Sequence, residues 1–272
     1  MILGIDVGGS TTKIVGLNQE GECFGMMQVD ASDQLTSAYG AFGKFTAAYN
    51  LSMRDIKKIM LTGVGAAHLG ESMYDIPAKR VDEFKSIGLG GLRLASLEKA
   101  IIISAGTGTA LVRASKEDIR HLGGSGLGGG TLRNLSGRIA GANHFASIIE
   151  LAAFGDLSAV DLTLGDITRE QIGNLPPHTT VANFGNLQDG AGNADIVLGL
   201  VNMIFESIGM MAVFATLNDD VKDIVMVGSL SVLDQAVPIF NGLSAMHNLH
   251  FYIPEGAIFA TALGAALSGK DK

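Results

Sequence analysis

The chain opens with two runs of apolar residues that are separated by the glycine pair Gly8 and Gly9. Apolar and β-branched residues favour short buried strands, and paired glycines permit a tight turn in which a ligand reaches bare backbone. Because backbone N–H groups in such a turn can point together at an anion, the segment predicts a phosphate-binding turn, with a plain hairpin as the alternative. Polar groups follow the glycines directly, at Ser10, Thr11, Thr12 and Lys13. Asp6 ends the first strand, where its carboxylate is placed to hold Mg²⁺ against the phosphates of a nucleotide.

A second segment, at residues 103–112, repeats the pattern of apolar strand, small polar turn and apolar strand. When the turns are aligned, Gly106 corresponds to Gly8, whereas Ser104 stands at the position of Asp6. Two like hairpins predict two like domains. We expect both turns to bind phosphate and only the first to carry the cation chemistry, since only the first has the carboxylate.

Six of the ten residues at positions 121–130 are glycine. That density costs conformational entropy on folding, so it indicates that the backbone comes very close to another group. If Gly129, Gly130 and Thr131 open a helix, their free N–H groups and the positive end of the helix dipole suit a phosphate or a carboxylate. The alternative interpretation is a flexible surface loop.

The two turns resemble the phosphate loops of the actin-like superfamily, which includes acetate and sugar kinases and clamps ATP between two similar domains. The glycine tract is similar to the signature of type II, eukaryote-like pantothenate kinases. Further segments match that family in its order and roughly its spacing, at residues 82–84, 182–186 and 227–229. The resemblance covers nearly the whole chain. It implies ATP-dependent phosphorylation of the primary hydroxyl of pantothenate to 4′-phosphopantothenate, the first step toward coenzyme A.

The resemblance also implies the fold, which is an α/β fold of two ribonuclease H-like domains with an ATP cleft between them, the actin-like ATPase fold. We expect an N-terminal domain at residues 1–98 and a C-terminal domain at residues 99–272, whose closing helix packs back on the first domain. Sequence patterning further predicts helices at residues 66–74 and 168–173 and a long helix at residues 196–217.

By the same resemblance, several residues would contact ATP. The first turn, from Gly8 to Lys13, would hold the phosphates together with Thr107. The tract would contribute Gly129, Gly130, Thr131, Leu132 and Arg133. Phe145 would stack on the adenine, and Ser229 would complete the nucleotide site.

Phosphoryl transfer to an alcohol needs a carboxylate within hydrogen-bond reach of the attacking hydroxyl. Asp82 and Glu83 are adjacent where a strand is expected to give way to a helix, so one points toward the cleft and the other elsewhere. Composition does not choose between them. The resemblance selects Glu83 as catalytic base, because Glu83-Phe84 and the following Gly-Leu-Gly match the family. The alternative for Glu83 is an exposed carboxylate stabilised by a helix dipole.

For the acceptor, the resemblance implies pantothenate contacts at Glu83, Ala182, Asn183 and His121. In the family the segment around Asn183 helps close the pantothenate site and can be presented across a dimer interface, so we expect a homodimer. His121 departs from the family, whose best-known members have Arg there, in association with the pantothenate carboxylate. Arginine is permanently charged and forms a planar fork, whereas histidine is charged only in mildly acidic solution. Arg120 is a poor substitute, because on an extended strand it points to the opposite face.

The formal net charge of −8 and the absence of any basic run argue against nucleic acid or an anionic membrane as partner. A single cysteine, Cys23, forms no intramolecular disulfide, and the chain begins directly in a strand with no basic-then-apolar leader, so we expect a cytoplasmic protein. The apolar stretch at residues 196–217 is long enough to span a membrane. It carries Asn202, Glu206 and Ser207 near its middle, and we therefore predict a buried helix.

Other functions stay open at this point. A sugar or N-acetylhexosamine kinase of the same superfamily would be expected to use an Asp base and a sugar-binding loop. A nucleotide-binding regulator without turnover is disfavoured by Glu83 beside an intact Asp6 and Lys13. Related ATPases that activate radical dehydratases hold an iron–sulfur cluster with cysteines, a ligand set that the single Cys23 does not supply.

Overall fold

The computed structural model describes residues 1–30 and 33–270; the predicted domains also include Ala31, Ser32, Asp271 and Lys272, which lie outside the described residues. The first sheet contains β1 (Ile2–Val7), β2 (Thr11–Leu17), β3 (Cys23–Asp30), β4 (Lys58–Thr62), β5 (Ser72–Met73) and β6 (Ile76–Arg80). The strand order is β3-β2-β1-β4-β6-β5. Helix α1 (Gln34–Ala48) packs on this sheet. Helix α2 (Glu83–Ala95) follows the first sheet in the chain and packs against the second sheet, described next.

The second sheet contains β7 (Lys99–Ala105), β8 (Thr109–Ser115), β9 (Ile119–Ser125), β12 (Asp223–Val227) and β13 (His250–Tyr252), in the order β13-β12-β7-β8-β9. The helices of this part are α3 (Gly129–Ala140), α4 (Phe145–Ala152), α5 (Leu164–Ile167), α6 (Asn193–Thr216), α7 (Ala236–His247) and α8 (Ala260–Ser268). A small antiparallel sheet pairs β10 (Leu162–Thr163) with β11 (Thr180–Ala182).

The two large sheets repeat one topology. In the first, β1, β2 and β3 are antiparallel neighbours, while β1, β4 and β6 are parallel. In the second, β7, β8 and β9 are antiparallel neighbours, while β7, β12 and β13 are parallel. The hairpin repeat found in the sequence therefore extends to the strand order of both sheets, although the division into domains at residue 98 stays a prediction.

Side-chain alternation along the central strands gives each sheet two buried faces. On β1, Leu3 and Ile5 pack against Phe42 and Phe45 of α1. Between Leu3 and Ile5 the other face carries Gly4, where a Cβ atom would lie only 2.0 Å from the carbonyl oxygen of Ala262 in α8. The absence of a side chain at Gly4 is thus what allows α8 to lie on the first sheet.

Helices α2 and α8 also cross with their backbones in contact. A Cβ atom on Gly90 of α2 would lie 1.8 Å from the carbonyl oxygen of Ala260, and one on Gly264 of α8 would lie 1.7 Å from that of Ser86. Apolar residues of α8 pack against Val15 and neighbouring residues of β2. Because α8 follows the second sheet in the chain, it ties the two sheets together next to the cleft described below.

The long apolar segment is a buried helix, as predicted. By length and composition α6 could cross a membrane, but 61% of its most apolar window is buried inside the protein. Residues such as Val201, Phe205 and Ile208 belong to the core around the second sheet. Core packing accounts for the apolar character of α6.

Two predicted helices are wrong. Residues 66–74 form the end of a short 3₁₀ helix, Val64–His68, and the strand β5, because the backbone becomes extended at Leu69 (φ −96°, ψ 145°) and the helical hydrogen bonding stops there. The predicted helix at residues 168–173 is replaced by α5, which ends at Ile167.

Candidate active site

A cleft of about 710 Å³ lies between the β1–β2 turn and the β7–β8 turn. Small-molecule sites in proteins typically enclose about 300–1,000 Å³, so the cleft has room for a nucleotide. The residues expected in an ATP site that line it are Asp6, Gly8, Gly9, Ser10, Thr11, Lys13, Glu83, Thr107, Gly129, Gly130, Arg133, Phe145 and Ser229.

The first turn is closed by one hydrogen bond, in which the N–H of Gly8 donates to the carbonyl oxygen of Thr11 at 3.1 Å. A Cβ atom on Gly8 would lie 2.8 Å from that same oxygen, so a side chain would open the turn. Gly9 has no neighbouring atom within 4 Å of its Cβ position and is exposed. The turn therefore presents bare backbone to the cleft, as a phosphate site requires.

Thr12 lies on the other face of β2. Its hydroxyl is buried and forms a hydrogen bond of 2.8 Å with the Ser37 hydroxyl of α1. Alternation along the strand puts Thr11 and Lys13 on the cleft and Thr12 against α1. The structure thus does not bring Thr12 to the nucleotide site that the sequence predicted for it.

The glycine tract packs on the second turn. The N–H groups of Gly129 and Gly130 donate to the carbonyl oxygens of Gly106 and Thr107, at 2.8 and 2.9 Å. A Cβ atom on Gly128 would lie 2.7 Å from the Thr107 oxygen. As predicted, a helix begins at Gly129. The prediction that its first N–H groups are free for a phosphate is wrong, because two of them are already bonded to the turn.

The next residues of α3 point in different directions. The Thr131 hydroxyl donates to the carbonyl oxygen of Gly126 at 2.9 Å, and Leu132 is fully buried in the core. Neither lines the cleft, whereas Arg133 does. Successive helix positions are about 100° apart around the axis, so three consecutive residues cannot all face one ligand.

The far wall of the cleft is formed by Phe145, the first residue of α4, and by Ser229 after β12. The Phe145 ring lies close to the start of α3, since a Cβ atom on Gly129 would be 3.0 Å from its Cζ atom. Across the cleft, the Lys13 ammonium group donates to the Ser229 hydroxyl at 3.5 Å. This contact joins the first hairpin to the second sheet.

Three carboxylates line the cleft, Asp6, Asp30 and Glu83, and two of them, Asp6 and Glu83, were predicted from the sequence. Burial raises the pKa of Asp6 above its ordinary value, and the charge of Lys13 partly offsets that shift. The pKa of Glu83 is also raised, by burial first and then by the negative charges of Asp6 and Asp82. A carboxylate whose pKa is raised accepts a proton more readily at neutral pH, which suits a general base.

Asp82 has a different role from Glu83. It is the N-cap of α2, and its Oδ1 atom accepts a hydrogen bond of 2.8 Å from the backbone N–H of Lys85. It does not line the cleft. Of the two adjacent carboxylates, Glu83 is therefore the one that a bound acceptor can reach.

His121 lies on β9 and stacks on Phe84, with ring centroids 3.9 Å apart and an angle of 13° between the ring planes. It is exposed and does not line the cleft. Phe84 directly follows Glu83, so His121 is near the candidate base without facing the phosphate turns. Its predicted contact with the pantothenate carboxylate stays a prediction.

The side chains at the cleft suit a magnesium ion that is bound together with a nucleotide better than a metal ion bound by protein ligands alone. Within residues 1–30 and 33–270, no group of three or more His, Cys, Asp or Glu side chains is placed to hold a metal ion. Magnesium is commonly bound by one or two carboxylates plus phosphates and water, and Asp6 supplies one such carboxylate at the cleft. Next to Asp6 in the sheet, the buried hydroxyl of Thr62 has no hydrogen-bond partner in the structure.

Comparisons with known proteins agree with this geometry. A family profile described as Fumble matches residues 96–249, which is more than half of the chain. The chain belongs to the Fumble family. A type II pantothenate kinase of Staphylococcus haemolyticus (strain JCSC1435) is 28% identical to it over 278 residues, covering 97% of this chain and 98% of that protein. Another, from Bacillus cereus (strain AH820), is 25% identical over 237 residues, covering 84% and 82%.

Solved structures share the fold of this Fumble-family chain. The activator of the 2-hydroxyisocaproyl-CoA dehydratase from Clostridium difficile, with bound ADPNP, has a TM-score of 0.72 at 16% identity and covers 98% of this chain and 93% of its own. A ROK family glucokinase from Streptomyces griseus, in complex with glucose and AMPPNP, has a TM-score of 0.59 at 12% identity and covers 98% of both chains. The predicted actin-like α/β fold is confirmed.

In this Fumble-family chain, the segment with Ala182 and Asn183 lies outside the cleft lining. The Asn183 amide donates to Oε2 of Glu206 in α6 at 2.9 Å, and the Thr180 hydroxyl donates to Oε1 at 2.7 Å. Glu206, a polar residue in the middle of α6, thus anchors residues 180–183 to that helix. The structure does not bring Ala182 and Asn183 together with Glu83 within one chain.

Several lining residues had not been singled out from the sequence of this Fumble-family chain. They are Gln28 and Asp30 at the end of β3, Gly63 after β4, Asn143 and His144 before α4, and Thr261 in α8. Of these, Gly63 had a sequence signal, because a glycine after the apolar run at residues 59–61 is typical of a turn at the end of a strand. The others belong to elements far apart in sequence, and only the packing of both sheets brings them to one cleft.

Proposed function

We propose that this Fumble-family chain is a pantothenate kinase, which transfers the γ-phosphoryl group of ATP to the primary hydroxyl of pantothenate and so begins coenzyme A synthesis. Support comes from full-length relatives that are type II pantothenate kinases. The observation that carries the proposal is the position of Glu83, which faces the cleft near Asp6 while its neighbour Asp82 is held in a helix cap.

ATP binding is assigned to the two turns. The open backbone at Gly9 and the hydroxyls of Ser10 and Thr11 are suited to bind phosphate oxygens. Thr107 of the second turn also lines the cleft, and Phe145 offers an aromatic face for the adenine. Lys13 adds a positive charge where negative charge develops during transfer.

In the chemical step, the pantothenate hydroxyl attacks the γ-phosphorus, the bond from that phosphorus to the bridging oxygen breaks so that ADP leaves, and the hydroxyl proton passes to the Glu83 carboxylate. The raised pKa of Glu83 makes that transfer more favourable than it would be for an ordinary glutamate. After product release, Glu83 returns its proton to water.

We propose Mg²⁺ as the cation, with Asp6 holding it directly or through a bound water. When bound, the ion neutralises charge on the phosphates. Asp6 keeps this role despite its burial, because Lys13, its partner in the β1–β2 register, favours the ionised form. Both residues lie on neighbouring strands of the first sheet.

We further propose a cytoplasmic homodimer that has neither nucleic acid nor membrane as partner. Along α6, Met203, Met210, Phe214 and Leu217 recur at the spacing of one helix face, and Phe214 and Leu217 are 62% and 70% exposed. A second copy covering this face would bury apolar surface, and it would also let the segment around Asn183 approach a neighbouring cleft. Light scattering on the purified chain tests the dimer, and a monomer at working concentration would contradict it.

The function is tested by an acceptor screen that couples ADP release to a detectable reaction. The candidates are pantothenate, an N-alkyl pantothenamide, glucosamine derivatives and water. We expect ADP release with pantothenate and a much slower reaction with sugars or with water alone. Faster phosphorylation of a glucosamine derivative would favour the sugar-kinase alternative, and nucleotide binding without turnover on any acceptor would favour a regulator.

A further inference from the structure

Thr62, the last residue of β4, has a hydroxyl group that is buried without a hydrogen-bond partner in the structure. The residue is only 1% exposed. Buried side-chain hydroxyls are normally paired with protein or ordered water, and an unpaired one is costly. Among the described residues, side-chain atoms of Ser136, Thr179, Gln235 and His247 are also buried without a partner, whereas Thr46 and Thr216 donate to backbone carbonyl oxygens of their own helices. Thr62 differs from the other four unpaired residues in being the register partner of Asp6.

The sheet places Thr62 beside Asp6. Thr62 and Asp6 are partners in the parallel β1–β4 register, and Lys13 is the partner of Asp6 on the other side, in β2. Register partners project to the same face of a sheet, so the three side chains form a row across β2, β1 and β4. Alternate residues of β4, such as Leu61, point to the opposite face and pack in the core with α1.

The backbone after Thr62 also runs against the Asp6 carboxylate. Gly63 has φ +86°, and a Cβ atom there would lie 2.5 Å from Oδ1 of Asp6. Gly63 lines the cleft as well. Thr62 does not itself line the cleft, but its hydroxyl projects from the same face of the sheet as the Asp6 carboxylate, which does, and it has a hydrogen bond left to make.

We propose that Thr62 is a positioning residue for the metal–nucleotide complex. Its hydroxyl hydrogen-bonds a water molecule in the hydration shell of the cation, and Asp6 holds the same shell. Magnesium usually keeps several waters when it is bound with phosphates, and groups that hold its outer ligands fix their orientation. This inference rests on the proposed function, because it takes the Asp6 side of the cleft as the site of a magnesium nucleotide.

Replacing Thr62 by valine tests whether the hydroxyl acts on the metal–nucleotide complex or whether the side chain only fills space in the core. Thr62→Val keeps the shape and removes the hydroxyl, whereas Thr62→Ser keeps the hydroxyl. Without nucleotide, Thr62→Val should have a thermal midpoint equal to or above that of the wild type, because the change removes an unpaired buried polar group. If the Thr62 hydroxyl instead stabilised the fold, the thermal midpoint of Thr62→Val would fall below that of the wild type.

The probe is the nonhydrolysable analogue AMPPNP, titrated into the intact chain by calorimetry in EDTA and at increasing Mg²⁺. For Thr62→Val we expect unchanged affinity in EDTA and a loss of about 10–100-fold in the magnesium affinity of the complex, the usual effect of removing an outer-shell partner. Thr62→Ser should restore most of it. As a matched control, Thr216→Val removes a buried hydroxyl that is already bonded, so it should lower the midpoint and leave the magnesium dependence unchanged.

The proposal is overturned if Thr62→Val binds AMPPNP with the magnesium dependence of the wild type, or if Thr62→Ser is as defective as Thr62→Val. A lowered midpoint of Thr62→Val with normal magnesium dependence would also overturn it and make the residue structural. None of these measurements uses an acceptor. A wild-type chain that binds Mg–AMPPNP but does not phosphorylate pantothenate would contradict the proposed function alone.

Discussion

Replacing Glu83 by glutamine tests the assignment of the catalytic base most directly. The change conserves volume and removes the proton-accepting charge. General-base catalysis typically contributes about 10²–10⁴-fold, so kcat should fall by that factor, which corresponds to about 3–5 kcal/mol of transition-state stabilisation. KM for ATP should stay close to the wild-type value, because the nucleotide is assigned to the turns rather than to Glu83.

The structure supplies a matched control in the adjacent residue. Asp82→Asn keeps the N-cap of α2, since asparagine accepts the hydrogen bond from Lys85 N–H about as well as aspartate does. We therefore expect near wild-type kcat for Asp82→Asn in the same coupled assay with pantothenate. A large loss of kcat in Asp82→Asn together with a small one in Glu83→Gln would refute the argument, because the cap would then be the base.

The raised pKa of Glu83 adds a prediction about stability. In the folded state Glu83 holds its proton to a higher pH than in the unfolded chain, owing to burial and to the charges of Asp6 and Asp82. The stability that this group contributes is therefore complete at low pH and is lost as pH rises through the folded-state pKa. Glu83→Gln does not ionise, so its thermal midpoint relative to that of the wild type should rise as pH increases above the ordinary glutamate pKa of about 4.3. A constant difference in midpoint above that pH would contradict the cause given for the shift.

Three further perturbations follow from the same geometry. Asp6→Asn should remove most turnover at saturating Mg²⁺ and leave the circular dichroism spectrum intact, because it deletes a carboxylate charge and little volume; unchanged turnover would contradict the metal assignment. His121→Arg should lower KM for pantothenate, because arginine offers its carboxylate a permanent charge and a planar fork; an unchanged KM would show that position 121 does not bind the carboxylate. Gly90→Ala should destabilise the fold by about 1–3 kcal/mol in urea unfolding, since its Cβ atom would lie 1.8 Å from the Ala260 carbonyl oxygen; helix propensity alone would predict a gain.

Much of the fold could be predicted from local patterns. The hairpins at Gly8 and Gly106, the helix start at Gly129 and the buried helix α6 are as the sequence indicated. These features depend on short-range preferences, such as apolar strands around glycine turns and the start of a helix after a glycine tract. Two helices were misplaced because the backbone becomes extended at Leu69 and at Thr168, which ends the helical turns that precede them.

At the candidate site, the sequence predicted which segments approach the cleft better than it predicted which single residues face it. Thr12 and Leu132 belong to segments that approach the cleft, yet Thr12 faces Ser37 and Leu132 faces the core. A motif identifies the segment, whereas strand alternation and helical rotation choose which of its residues face the ligand. Likewise, composition did not choose between Asp82 and Glu83 as the base, and it is the hydrogen bond from the Lys85 N–H that shows Asp82 to be the cap of α2.

The order of residues along the chain was enough to establish two glycine turns, a carboxylate beside only the first of them, and the family to which the chain belongs. Each of these features belongs to a contiguous segment, so it can be identified from the order of residues alone. Packing between distant segments decided the rest: the glycine tract binds the second turn, α8 contacts backbone at Gly4 and Gly90, and Thr62 lies beside Asp6. Those contacts join residues far apart in sequence, so they exist only once both sheets have formed.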